Sequence, residues 1–452
     1  MKSIDKLKRL TGEAITPIAK DQNGTILPAS GRRAAIDDLR SRIDGVVARS
    51  AARARAAQEE AKARGNRALC EILEGEESEN RLGRFFLAGG SLSGASRHGH
   101  RSIHDAFDID MTAAGMLANN PVLGNYHSSD ALFLDTETTG LSGGTGTMAF
   151  LIGLGWYEEG RFHVRQILAR DFSEEPAALA CLQEIAAQKK FLVTFNGKAF
   201  DVNLLAARFI LNRMPSSLHE LPHLDLLHPA RRLLGHRLDN CRLSTLETDI
   251  LGVEREGDVP GWEIPQRYFD WLRRRDPRSL ADIFAHNRLD VISMTTLTAH
   301  LVDLLKARAL KQHAHPDDYL AAARLLLKKA RTEEIEKILE MLGENACAEL
   351  SLPSKKKLAN LCKRTGRLDE AVRIWRQVMA CDPNDFYAVS ELAKHLEHRA
   401  RDYARAEALI EDALAGNRFF SEEEQEALSH RLKRLRAKAF RPGKETRQQT
   451  RA

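Results

Sequence analysis

Apolar positions along this chain follow two periods, and the change from one to the other divides it. Ala131–Leu134 is an apolar run that carries straight into Asp135 and Glu137 and breaks at Thr138-Thr139-Gly140. A buried central strand reads this way, with its acids at the working end. Met148–Tyr157 is a second apolar run, and Arg161–Ala169 alternates as an outer antiparallel strand does. Short strands are expected at Phe191–Phe195 and His223–Leu227. Between and beyond them the spacing turns helical, at Pro176–Gln188, Asp201–Leu211, Leu246–Leu251, Pro265–Arg274 and the long amphipathic Ser279–Leu305. The expected unit, over residues 126–310, is α/β: a mixed five-stranded sheet with flanking helices in three layers.

After Pro316 the strand patterns stop. Helical spacing recurs at Tyr319–Lys329, Glu333–Leu342, Lys355–Thr365, Leu368–Ala380, Tyr387–His398 and Tyr403–Ala415. Ala359 and Ala393 stand 34 apart, and the pairs Ala371/Ala406 and Trp375/Ile410 stand 35 apart. Gly366 to Trp375, followed by Asp382-Pro383, is similar to the second helix and exit turn of a tetratricopeptide repeat (TPR). Residues 316–436 are therefore expected to form an all-α, TPR-like helical domain. Only two units are clear, and about three are needed for such an array to stand alone, so it should pack on the α/β unit. Such helices imply a protein or peptide partner.

The flanks carry weaker patterns. Residues 1–125 read as an N-terminal extension, partly helical and partly disordered: irregular over the first thirty residues, helical from Arg32 to Leu73, and a flexible linker over the Gly-, Ser- and His-rich Gly83–His100. Residues 437–452 read as a basic disordered tail. The net charge of +5 is modest for 452 residues and is a weak argument for nucleic acid. Cys70, Cys181, Cys241, Cys347, Cys362 and Cys381 form no close pair, against a disulfide framework or a zinc knuckle and in keeping with a reducing cytoplasm. No apolar run is long enough to span a bilayer, so a cytoplasmic protein without membrane contact is expected.

The candidate chemistry sits in three places. Asp135 and Glu137, two apart on a strand, point to one face. Carboxylates that close repel unless a cation or a shared proton lies between them, and the suitable cation is hard and divalent, Mg²⁺ or Mn²⁺. Taken alone, the stretch could equally be an acidic strand end. Asp201, in Asn196-Gly197-Lys198-Ala199-Phe200-Asp201, follows a strand and opens a helix, where an Asp serves as N-cap or ligand. His286 and Asp290 lie about 40° apart around the long helix, as a surface hydrogen bond or as part of a site.

In that order the three pieces resemble the exonuclease motifs of the DEDD, or DnaQ-like, superfamily of ribonuclease-H-like 3′–5′ exonucleases. Asp135-Thr136-Glu137-Thr138-Thr139-Gly140-Leu141, the glycine-rich Gly143 to Thr147, Val259-Pro260-Gly261-Trp262-Glu263-Ile264-Pro265 with Tyr268, and His286-Asn287-Arg288-Leu289-Asp290-Val291 resemble YprB-type proteins more closely. The resemblance implies a nuclease that hydrolyses single-stranded DNA or RNA with two Mg²⁺ or Mn²⁺ ions, held by Asp135, Glu137, Asp201 and Asp290. His286 would orient or deprotonate the attacking water. Thr138, Thr139 and Leu141 would receive the terminal nucleotide, and Asn196 would contact the strand or buttress its loop. His286 stands one residue nearer Asp290 than in the His-bearing branch, which turns it by about 100° on the helix. Arg231, Arg232, Arg237 and Arg242 lie between the motifs and could track a backbone, Lys198 could meet a phosphate or stand solvated, and Trp262 and Tyr268 are candidate stacking surfaces, Trp262 with core as its alternative. His223 is read as a structural histidine or a site residue. Two other readings stay open: a non-catalytic scaffold on a degenerate nuclease fold, and an endonuclease using the same metals.

Overall fold

The computed structural model describes residues 29–140, 146–308, 315–416 and 420–439. Its strands are β1 (Gly75–Asn80), β2 (Gly83–Ser93), β3 (Arg97–His98), β4 (Arg101–Ser102), β5 (Ala131–Thr138), β6 (Ala149–Glu158), β7 (Arg161–Leu168), β8 (Phe191–Thr194) and β9 (His223–Asp225). Seven form one sheet in the order β1-β2-β7-β6-β5-β8-β9, and β3 pairs with β4. β5, β8 and β9 run parallel and the other neighbours antiparallel, so the sheet is mixed.

The expected five strands are present, but the sheet has seven. The two added strands come from the segment expected to be an N-terminal extension, and β2 occupies most of the expected linker. Phe85, Phe86 and Ala88 of β2 are buried, which anchors it. One of its glycines serves close approach: at Gly89, φ is +146° and a Cβ would lie 2.1 Å from the Val164 carbonyl oxygen of β7. β7 is consequently internal rather than outer.

Period 2 sorts β5 between two cores. Ala131 and Phe133 join one cluster, with Phe162, Val291 and Met294. Leu132 and Leu134 join the other, with Phe150, Tyr268 and Phe284. The helices of this unit are α1 (Ala29–Ile72), α2 (Met111–Ala118), α3 (Glu175–Ala186), α4 (Asp201–Leu211), α5 (Leu227–Leu233), α6 (Leu243–Leu246), α7 (Ile264–Arg274) and α8 (Arg278–Lys306). α8 serves both cores, with Leu280 and Phe284 in the second and Val291 to Leu305 in the first. Tyr268, expected as a possible stacking surface, is core: its ring stacks on Phe150 at 4.0 Å and its hydroxyl donates to the Ala169 carbonyl at 2.9 Å.

The rest is helical: α9 (Pro316–Lys328), α10 (Thr332–Glu349), α11 (Leu352–Arg364), α12 (Leu368–Cys381), α13 (Phe386–His395), α14 (Tyr403–Gly416) and α15 (Glu422–Ala439). Ala359, Ala371, Ala393 and Ala406 are buried, as are Trp375 and Ile410. One apolar cluster runs without a break from the sheet through α9 to α13, so the helices do pack on the α/β unit. The join is also ionic. Arg237 grips the fully buried Asp318 of α9 with bonds of 2.9 and 2.8 Å. Most of the expected disordered tail and the expected irregular start lie outside the described residues. Among the described residues no helix is long and apolar enough to cross a membrane.

Candidate active site

Asp135 and Glu137 stand at the end of β5, where a register shift between Glu137 and Thr138 ends regular pairing. Between them, Thr136 donates its hydroxyl to Asp201 Oδ1 at 2.5 Å. Asp201 is the first residue of α4, with Phe200 in the N-cap position. The loop that delivers it is organised by Asp225 at the end of β9, whose carboxylate accepts the backbone N–H groups of Asn196 (2.8 Å), Lys198 (3.1 Å) and Leu227 (3.1 Å). Asn196 takes φ +67°, a left-handed conformation that asparagine tolerates.

α8 brings the third piece. Asn287 is fully buried and donates its amide to Asp135 Oδ2 at 2.8 Å. Its own oxygen accepts from Gln166 Nε2 at 2.9 Å, and Gln166 also donates to the Phe284 carbonyl at 2.8 Å. Gly153, opposite Asp135 on β6, leaves room for this: a Cβ there would sit 2.2 Å from Asn287 Oδ1. On the same helix His286 Nδ1 lies 2.7 Å from Asp258 Oδ1. The Asp258 carboxylate at 2.7 Å favours a proton on Nδ1 over the Arg255 guanidinium at 3.3 Å, and Nε2 turns inward, 3.6 Å from Asp290 Oδ2 and 3.9 Å from Glu137 Oε1. Arg255 ties the group together. It holds Glu247 through two bonds of 2.6 Å, donates to Asp258 at 3.0 Å, and ion-pairs with Asp290.

The electrostatics are those of crowded acids. Burial, then the charges of Asp290 and Asp201, push the Asp135 carboxyl well up. Burial, then Asp135, Asp290 and Asp201, do the same to Glu137. Burial pushes Asp201 up to about 6, against the Thr136 hydroxyl that favours its ionised form. Among the described residues no three His, Cys, Asp or Glu side chains converge on one point as they stand. Asp290 leans on Arg255, Asp201 on Thr136 and Asp135 on Asn287. The donor set itself fits a hard divalent cation: carboxylate oxygens, buried and mutually repelling.

The other expected residues fall out variously. Thr138 spends its hydroxyl on the Gly140 carbonyl (2.8 Å), and Thr139 Oγ1 accepts from the Met148 N–H (2.9 Å), so both brace the turn after β5. Leu141 lies outside the described residues. Lys198 borders a cavity of about 400 Å³ that His219 and His223 also line. His223 bonds Thr194 at 2.7 Å, and burial pushes its ring down to about 4, the state of a satisfied structural histidine. Arg237 is spent on Asp318 and Arg232 on the Leu117 carbonyl, so neither is a free backbone contact. Trp262 is 69% exposed, placed as a platform rather than as core. Sequence reasoning set Asp225 on a strand beside the site, but missed Glu247, Arg255, Asp258 and Asn287. Asn287 lay inside the His286–Asp290 motif. Arg255 and Asp258 stand in Glu254-Arg255-Glu256-Gly257-Asp258, which reads as a solvated charged turn.

Comparison with known proteins agrees with this geometry. The model of the family RNase_H_2, of the RNase_H superfamily, matches residues 132–302. That span holds all three motifs. The chain is also 34% identical over 318 residues to YprB of Bacillus subtilis (strain 168), an uncharacterized protein, and the match covers 69% of this chain and 76% of YprB.

Proposed function

The chain belongs to the family of YprB and carries an RNase H superfamily domain, and from that premise we propose that it is a metal-dependent 3′–5′ exonuclease of single-stranded nucleic acid. One observation carries the reading: acids from three separate stretches come together in one buried place, where burial raises Asp135, Glu137 and Asp201 and the charges of Asp290 and Asp201 raise Asp135 and Glu137 further. A fold spends stability on such a cluster where a cation is to be bound.

Asp135, Glu137, Asp201 and Asp290 are the residues that would hold Mg²⁺ or Mn²⁺, which supplies Lewis-acid polarisation of the phosphate and acidifies a water. The remaining work belongs to the chain. Asp258 fixes the His286 ring by its Nδ1–H, so that Nε2 is free to take the proton of the attacking water. Water oxygen then bonds phosphorus, the P–O3′ bond breaks, and the departing 3′ oxygen takes a proton from solvent. Asn287 fixes Asp135, and Arg255 keeps Asp290 and Glu247 from standing as unpaired buried charges. Thr138 and Thr139 shape the turn beside which the terminal nucleotide would lie, and Asn196 shapes the loop that carries Asp201. The helices α9 to α15 are read as TPR-like repeats that dock a partner.

Linear and circular single strands, digested with Mn²⁺, test the exonuclease reading. Linear strands should be consumed and circles left intact. Cut circles would make the protein an endonuclease. The Arg255–Asp290 ion pair favours a second reading, a scaffold in which the guanidinium replaces the cation for good. Failure to cleave either substrate, with no Mn²⁺ bound, is the outcome that reading requires.

A further inference from the structure

Away from the carboxylate cleft, α9, α11 and α13 enclose a groove of about 430 Å³. Arg324, Lys356, Lys357, Asn360, Arg364 and Tyr387 line it, over a floor of Leu327 and Leu361, and no acidic side chain is among the lining residues. α11 carries Lys355, Lys356, Lys357, Lys363 and Arg364 without one Asp or Glu. Lys356 is paired with Asp385 and Lys363 with Glu391. Among the described residues Arg324, Lys357 and Arg364 form no ion pair. Like charges three or four residues apart on a helix repel, and α11 has no acid of its own to offset them. Lys357, Asn360 with Leu361, and Arg364 recur at helical spacing, so they form one stripe about 10 Å long. The stripe faces Arg324 across the groove.

The groove is also fixed to the α/β unit. α9 supplies one wall, and its Asp318 is held by Arg237 from the far side of the join. We propose that this groove is a second, non-catalytic site for a single nucleic-acid strand. Guanidinium and ammonium groups take successive phosphates, and the Tyr387 ring and the leucine floor meet the bases. This rests on the nuclease reading of the α/β unit, which supplies the polyanion. An acidic peptide is the rival occupant. It fits less well, because Asn360 is the one side-chain amide lining the groove that could pair with a peptide backbone.

The test is fluorescence anisotropy with labelled oligothymidylate and oligouridylate, in EDTA so that nothing is cleaved, across a salt series. The full chain is compared with the triple variants Arg324→Glu/Lys357→Glu/Arg364→Glu and Arg324→Gln/Lys357→Gln/Arg364→Gln, with circular dichroism as the check on folding. Both variants should bind at least tenfold more weakly. The slope of log affinity against log salt should fall in magnitude by about 2, from roughly 0.7 for each of three lost phosphate contacts. If the charge reversal unfolds the chain, the neutral variant decides alone. Unchanged affinity and slope in a folded variant overturn the proposal. So does tight binding of polyglutamate that the same substitutions abolish while strand binding persists, which would mark a protein partner. Strand binding through the groove without cleavage in Mn²⁺ would leave this site standing and remove the nuclease reading.

Discussion

Gly153→Ala adds a methyl where the cleft has no space for one. Its carbon would lie 2.2 Å from Asn287 Oδ1 and 2.7 Å from Asn287 Cγ and Nδ2, against 3.4–4 Å for ordinary contact. Asn287 must therefore move by more than 1 Å at Oδ1. It cannot do so and keep both its bond from Gln166 (2.9 Å) and its bond to Asp135 (2.8 Å). Overpacking of this kind costs about 1–3 kcal/mol. A neutral hydrogen bond adds about 1 kcal/mol and one to a charged group about 1.5–3 kcal/mol. Overpacking with the loss of at least one of these bonds gives an expected loss of about 2–6 kcal/mol, read by urea denaturation followed by circular dichroism. Cleavage should fall as well, because Asp135 loses its anchor. The cycle is completed with Asn287→Ala, which removes the obstructed side chain. In the double variant the methyl enters empty space, so the two losses should fall short of additive by most of the Gly153→Ala cost, about 2 kcal/mol or more. Strict additivity, or a Gly153→Ala protein as stable and active as the wild type, would refute this account of how α8 is seated against β6.

Three further predictions follow from other parts of the molecule. Asp201, raised from 3.8 to about 6, contributes stability below its unfolded pKa that is lost as pH rises through the folded one. At about 1.4 kcal/mol per unit, its ionisation in metal-free protein near neutral pH costs about 3 kcal/mol. Asp201→Asn should therefore raise the denaturation midpoint near neutral pH but not near pH 4, while abolishing cleavage; a drop near neutral pH would contradict the crowding argument. Asp258→Asn should lower kcat by roughly 10- to 100-fold with little change in KM. It should also displace the acidic limb of the pH–rate profile, whereas an unaltered profile would remove Asp258 from the positioning of His286. Glu397 is fully buried between helices; burial pushes its carboxyl up, but Arg434 and Lys438 outweigh this and bring it down to about 2 from 4.5. Its stabilisation is present above pH 4.5 and lost as pH falls through about 2, so Glu397→Gln should cost about 1.5–3 kcal/mol at neutral pH and flatten the acid limb of a melting series.

The interior of the sheet was legible from residue order because apolar runs and period 2 act locally: Ala131–Leu134, Met148–Tyr157 and Phe191–Phe195 need no partner to be recognised. β1 and β2 were not. β1 reads Gly-Glu-Glu-Ser-Glu-Asn, an edge strand too polar to announce itself. The glycines of β2 signal flexibility until a neighbouring strand is seen to press against Gly89. The acids of the candidate site were visible because Asp135, Glu137 and Asp201 stand at element ends and Asp290 stands four residues from His286 on one helix. Their supports were not, since Arg255 and Asp258 reach His286 and Asp290 only through folding. Aromatic exposure was similarly undetermined: Tyr268 is buried and Trp262 exposed, although both lie in the same short stretch.

The central claim is that the crowded acids form a nuclease site. Single-stranded DNA and RNA oligonucleotides labelled at the 5′ end, incubated with Mn²⁺ and either wild type or Asp135→Ala, test it most directly. The account predicts a metal-dependent ladder that shortens from the 3′ end on at least one of the two substrates and is absent with the variant. Wild type and variant equally inert on both, with Mn²⁺ present, would contradict it and leave the α/β unit as a scaffold for the helices that follow.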